Sequence, residues 1–167
     1  MPPGAAGVSR THIEAGGLGL PVQLPFRTPA PGSTLIAMSA SIQTTKHVFA
    51  LDCPDAAALG AFYARLLGWR TRSSEDDPGW VSVVPPAGSE NGSEIACQQI
   101  EGYRSPDWPT GPVPQQAHLD FYVESIAEAA PLAEAAGATK HPAQPSEDGS
   151  FMVFLDPAGH PFCLCEN

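Results

Sequence analysis

The chain repeats itself. Val48-Phe49-Ala50-Leu51-Asp52-Cys53-Pro54-Asp55 can be laid over His118-Leu119-Asp120-Phe121-Tyr122-Val123-Glu124-Ser125. Each segment leads into a helical stretch that a glycine stops, Gly68 in one copy and Gly137 in the other, one residue out of step. Strand, cap, helix and glycine stop recurring in the same order signal a duplicated unit. A unit that recurs in this way restricts the fold more than composition can.

Within the first copy, His47 to Cys53 is apolar with β-branched and aromatic residues, and Pro54-Asp55 ends it as a strand. Asp55 is a good N-cap for a helix over Ala56 to Leu67, with Leu59, Phe62, Tyr63, Leu66 and Leu67 on one face. Gly68 stands where a C-cap belongs. Short strands are expected over Trp69 to Ser73, Trp80 to Val84 and Glu94 to Ile100. Gly102 to Pro114, with Pro106, Pro109, Pro112 and Pro114, reads as a loop.

The second copy then runs through a strand at Gln116 to Glu124 and a helix capped by Ser125 that ends at Ala136. Pro131 should kink that helix or lie in its first turns, because it has no amide proton. Strands at Thr139 to His141, Phe151 to Leu155 and Phe162 to Cys165 complete it. The expected fold is α+β: two βαβββ modules, 46–101 and 115–166, joined by the loop 102–114, with sheets curling round a shared concave pocket. Residues 1–45 are too rich in Gly and Pro to hold an element. They read as a low-complexity tail or as sequence upstream of a start at Met38, so whether 1–37 is translated stays open, and His12 carries no role.

Lys and Arg total 8 against 18 Asp and Glu, a formal net charge of -10. That surface repels polyanions, so no nucleic-acid partner is expected. No apolar run approaches the ~20 residues of a membrane helix. The N-terminus lacks a charged stretch followed by an apolar core, so a cytoplasmic location is expected. Cys53, Cys97, Cys163 and Cys165 make no CxxC pair and read as free thiols in or near the core. No phosphate loop, HExxH or GxSxG occurs, which removes nucleotide hydrolysis and serine-esterase chemistry.

The paired βαβββ pattern resembles the vicinal-oxygen-chelate superfamily, that of the glyoxalase, bleomycin-resistance and dioxygenase domains. The resemblance rests on Leu51-Asp52-Cys53-Pro54-Asp55 leading to Phe62-Tyr63 and Leu67-Gly68-Trp69, and on Gln116-Ala117-His118-Leu119-Asp120. It also rests on Asp156-Pro157-Ala158-Gly159-His160-Pro161-Phe162-Cys163-Leu164. Asp, Pro and Gly at first, second and fourth positions also suit a plain type I turn closing the last hairpin. The resemblance implies a homodimer and, in metal-using relatives, a divalent cation (Zn, Fe, Mn or Ni) held by His or Gln and Glu from the first and last strands of each half. Such a cation polarises a substrate oxygen as a Lewis acid.

Carried over by position, the implied metal set is His118, Gln98 and Cys163, with Val48 at a position that cannot ligate. Strand parity puts His118, Asp120 and Tyr122 on the pocket face, and Leu119, Phe121 and Val123 toward the helices. His47, sharing parity with Phe49 and Leu51, should point to the helix side. Trp69, Trp80 and Trp108 are candidate apolar walls, Trp108 as a lid or as a staple for its loop. His160 reads as a turn-surface residue, and His141 has no evident partner. Cys163 beside His118 raises the option of a nucleophile with its base.

Three functions remain open at this point. The leading one is metal-free binding of a small organic molecule. The alternatives are a metal-dependent lyase, isomerase or dioxygenase, and a scaffold domain without a ligand.

Overall fold

The computed structural model describes residues 44–89 and 93–166. The expected tail with His12, and the question of Met38, lie outside the described residues. The elements run β1 (His47–Cys53), α1 (Ala56–Leu67), β2 (Arg70–Ser73), β3 (Trp80–Val84), β4 (Ser93–Gln99), β5 (Leu119–Tyr122), α2 (Ile126–Ala136), β6 (Thr139–Lys140), β7 (Phe151–Leu155) and β8 (Pro161–Cys165). They form two four-stranded sheets of identical plan, β1-β4-β3-β2 and β5-β8-β7-β6. In each, the first strand pairs in parallel with the last and the other pairings are antiparallel.

Both helices are capped as their sequences predict. The Asp55 carboxylate accepts from the Ala58 amide, and the Ser125 hydroxyl from that of Glu128. Gly68 and Gly137 close them in the left-handed region, where a side chain would be strained. Pro131 sits sixth among the 11 residues of α2, where its missing amide proton removes a helical hydrogen bond. Helix α1 lies very close to β3: a Cβ on Gly60 would meet Val81 Cγ1 at 2.6 Å.

One core serves both halves. Leu59, Phe62 and Tyr63 of α1, Ile95 and Cys97 of β4, Ile126 and Ala133 of α2, Phe154 of β7 and Phe162 and Leu164 of β8 are all buried in it. Phe154 stacks on Phe162 at 5.6 Å, and Tyr63 meets Phe121 at 6.4 Å. The alternate residues of each sheet therefore look away from the helices, onto the concave side. Trp69 also packs against this core, so it is part of the helix-side packing and not a pocket wall. Its backbone amide donates to the Ala64 carbonyl at the end of α1.

Three strands are shorter than their patterns, β2 by Trp69 alone. Gln116 to His118, and Val123 and Glu124, lie outside β5. His141 follows β6, although its amide still bonds to Val153. The four cysteines are free and buried.

Candidate functional site

The concave face of the second half gathers ligating atoms. His118, Asp120 and Cys163 each offer one within 4.8 Å of the others. Asp120 and Cys163 are cross-strand partners on β5 and β8, and His118 shares the Asp120 face because it lies two residues earlier. His118 Nε2 stands 3.3 Å from Asp120 Oδ1, and the Gln115 amide donates to His118 Nδ1 at 3.0 Å. A ring that accepts at Nδ1 carries its proton on Nε2, the atom that faces Asp120. Gln115 Oε1 is buried and has no partner among the described residues.

Burial, and then the neighbouring Asp120 carboxylate, push the Cys163 thiol up to about 12. It is therefore a thiol at neutral pH, which argues against a Cys163–His118 nucleophile pair. A cation between these residues would reverse that balance, because the same carboxylate would then favour ligation and a coordinated thiol deprotonates. Trp108 packs against Val153, Cys163 and Cys165 and meets the His141 ring edge-on at 4.9 Å. It thus acts as the staple of its loop and also as a wall beside Cys163. His141 gains a further partner in the Ala143 amide, which donates to Nδ1.

The first half does not supply the matching ligands. Val48 holds the place of His118, and Ala50 that of Asp120. In β4 the residue opposite Ala50 is Ala96, so Ala96 is the counterpart of Cys163. Gln98 lies one step further along the same face, opposite Asp52 and Trp80. Cross-strand register, which a single sequence does not reveal, places Gln98 level with Cys165 and away from the trio's row. Tyr122 also leaves the site: it shares the face of His118 and Asp120 but is 67% exposed at the far end of β5.

Between the unpaired edges of β1 and β5 lies a cavity of about 370 Å³, lined by residues that include Val48, Ala50, Leu51, His118, Leu119 and His160. Its walls are mainly apolar, and His118, His160 and Tyr63 are the lining residues with polar side-chain groups. A second cavity, about 360 Å³, opens on the first sheet and shares Val48 with the first. Trp80 lines it and donates from its indole to the Ser82 hydroxyl at 3.3 Å. His47 turns outward and pairs with the Thr44 hydroxyl, which departs from the helix-side expectation because β1 is an edge strand there.

The Asp156 turn does more than reverse the chain. Asp156 is buried; its Oδ1 accepts the Ala158 and His160 amides, and its Oδ2 accepts the Tyr63 hydroxyl at 2.8 Å and faces His160 Nδ1 at 2.9 Å. His160 Nε2 in turn meets the Tyr103 hydroxyl at 3.0 Å. His160 is therefore mostly enclosed and lines the cavity, a correction to its reading as turn surface. One carboxylate ties α1, the inter-half loop and the last hairpin together. Gly159 has φ +89, and a Cβ there would meet Ser105 at 2.6 Å, so the turn needs glycine for both reasons. What the sequence could not reveal was the pairing of Tyr63 and Tyr103 with this turn, because both lie far away in the chain.

Among the described residues no helix is long and apolar enough to cross a membrane. No curated protein matches the chain significantly. Solved structures do. A glyoxalase/bleomycin resistance protein/dioxygenase family enzyme from Burkholderia phytofirmans PsJN is 23% identical, with 71% of this chain and 95% of that one covered at a TM-score of 0.53. A glyoxalase-related enzyme from Fulvimarina pelagi is 22% identical, covering 75% and 89% at 0.52. A point mutant of the fosfomycin resistance protein FosX from Listeria monocytogenes, complexed with Mn(II) and 1S,2S-dihydroxypropylphosphonic acid, is 18% identical, covering 75% and 90% at 0.54. At these identities the likeness is one of fold. The family profile described as Glyoxalase-like domain matches residues 48–165, most of the chain, and with the two βαβββ sheets already described it settles the family. The chain belongs to the glyoxalase-like domain family, within the vicinal-oxygen-chelate superfamily.

Proposed function

We propose that the concave face binds a small organic molecule, with the His118–Asp120–Cys163 trio as the polar end of the cleft. The observation that carries this reading is the contrast between the two halves. Where a four-ligand metal site would need donors on β1 and β4, this chain has Val48 and Ala96, while a cavity of about 370 Å³ stays open beside Val48. A mainly apolar cleft with a few placed polar groups is the usual form of a small-molecule site. The Gln115 amide donates to His118 and holds that ring at the cavity wall.

The test is Trp fluorescence of the purified protein titrated with a broad panel of small metabolites, with and without chelator. Saturable quenching that chelator leaves unchanged supports metal-free binding. Silence across the whole panel from a folded protein removes it.

The trio favours a second reading, a metal-dependent enzyme of the lyase, isomerase or dioxygenase kind. The superfamily's four-residue set does not fit here, but His118, Asp120 and Cys163 fit a three-ligand zinc centre with an open position. Zinc on Nε2 would move the ring proton to Nδ1, and a rotated Gln115 amide would then accept it through its orphan oxygen, the outer bond that metal-bound histidines keep. Such an ion would polarise a substrate oxygen. Elemental analysis of zinc-supplemented protein decides between the readings. Near-stoichiometric zinc that His118→Ala abolishes supports the enzyme, and protein that retains none rejects it.

We also infer that two copies pair. Val48 and Phe49 are exposed on the β1 edge, and Phe49 remains 55% accessible despite its size. Sedimentation of the full chain at a monomer's rate would reject this.

A further inference from the structure

The cavity on the first sheet has a chemistry opposite to that of the trio. Lys46 and Arg72 line it together with Ser73, Ser74, Trp80 and Ser82, and Asp77 is the acidic residue at its wall. Glu94 is absent from that wall and lies behind it. Its carboxylate is buried, with 9% of the side chain exposed, and it binds Lys46 Nζ at 2.7 Å and Arg72 Nη2 at 2.9 Å. Burial alone would raise this carboxyl, but the bonds from Lys46 and Arg72 outweigh it and hold its pKa below the ordinary value.

Two like charges drawn to one carboxylate are held close together against their repulsion. Neither is used up by it. Both bonds from Arg72 run through Nη2, leaving Nε and Nη1 without partners among the described residues. Lys46 and Arg72 keep 42% and 56% of their side chains in contact with solvent. Described residues of this chain include only six Lys or Arg (Lys46, Arg65, Arg70, Arg72, Arg104 and Lys140), and two of them converge on this one cavity of a chain with net charge -10.

We propose that this cavity is an anion subsite, in which Lys46 and Arg72 receive the carboxylate or phosphonate of a small organic ligand whose apolar part lies against Trp80 and Val48. The inference rests on the concave face being a ligand cleft, and it adds the ligand's charge. A planar guanidinium with a free edge suits a two-oxygen acceptor, and Lys46 adds a point charge beside it. The Ser82 hydroxyl accepts from the Trp80 indole and retains its own proton to donate. Val48 lines this cavity and the one beside His118, so a ligand anchored here reaches toward the trio.

The test uses the full chain and three probes: phenylphosphonate, phenylacetate and the neutral phenylacetamide, followed by Trp fluorescence and calorimetry. Wild-type protein should bind both anions and not the amide. Arg72→Gln should weaken the anions by about tenfold or more, the worth of one charge-assisted hydrogen bond. Lys46→Gln, at a half-exposed position just before β1, should weaken them in the same direction, with circular dichroism unchanged. Anion affinity that is the same in both folded variants overturns the subsite. Binding that falls in His118→Ala but in neither cation variant overturns the subsite alone and leaves the cleft standing. No binding of any compound, charged or neutral, overturns the cleft together with it.

Discussion

Ala50, Ala96, Ser82 and Arg72 stand side by side across the first sheet, where Asp120, Cys163, Val153 and His141 stand across the second. The strand plan is the same, and so is the helix side, where residues of both halves close one core. The concave rows differ at every place. In the first half the places of the trio are apolar, with Lys46 at the foot of β1 and Arg72 on the outer strand, whereas in the second the ligating groups hold those places and the rings of Trp108 and His141 lie beyond Cys163. Duplication preserves what packing demands, because a buried side chain is held by many neighbours at once. A concave face that meets solvent or ligand is free of that demand and can diverge.

The largest effect should come from breaking the side the halves share. Phe162 touches Phe62, Phe121 and Phe154. Phe162→Ala should cost about 3–5 kcal/mol in urea denaturation and should still unfold in one transition. Two separate transitions would show the halves to be independent and would break the comparison.

Next is the carboxylate that binds the halves together. Tyr63→Phe removes one donor from buried Asp156. A loss of about 1.5–3 kcal/mol is expected, typical of a hydrogen bond to a charged group. A neutral outcome would mean that Asp156 needs only its own turn and His160.

The contrast between the concave faces can also be erased. Val48→His installs in the first half the residue type the second already has, across the cavity from His118. Zinc affinity, read by competition with a chromophoric chelator, should rise by at least about tenfold, since even an outer partner of a metal ligand is worth that much. No gain would place Val48 outside reach of the trio.

The smallest effect concerns Glu94. Its carboxyl is lowered in the fold, so its stabilising contribution is complete above the ordinary carboxyl titration and fades as pH falls through the lowered value. Glu94→Gln should cost about 1 kcal/mol at neutral pH, set low because both cations are half in water. Thermal melts of wild type and variant should draw together only as pH falls below the ordinary carboxyl range and through the lowered value. A constant gap down to strong acid would mean that packing, and not charge, carries the residue.

Much of the fold was legible along the chain. Asp55 and Ser125 as caps, Gly68 and Gly137 as stops, and the parity of β5 follow from local hydrogen bonding and from the two-residue strand period. His118 on the concave face followed from the same period, and Cys163 beside it from the superfamily pattern. Gln98 and Trp69 were misplaced for one reason: their positions depend on which strand or helix lies alongside. Asp120 completes the trio through cross-strand register, and the cation pair assembles only because β1, β2 and β4 lie in one sheet.

The sequence by itself therefore determined the repeated unit, its helix ends and the side of each strand that faces the core, because these are set by interactions a few residues long. Tertiary structure alone decided that Asp120 would stand opposite Cys163, that Lys46 and Arg72 would share Glu94, and that Tyr63 would reach Asp156. Those partners are separated by tens of residues, and only sheet pairing and the shared core bring them within hydrogen-bonding distance.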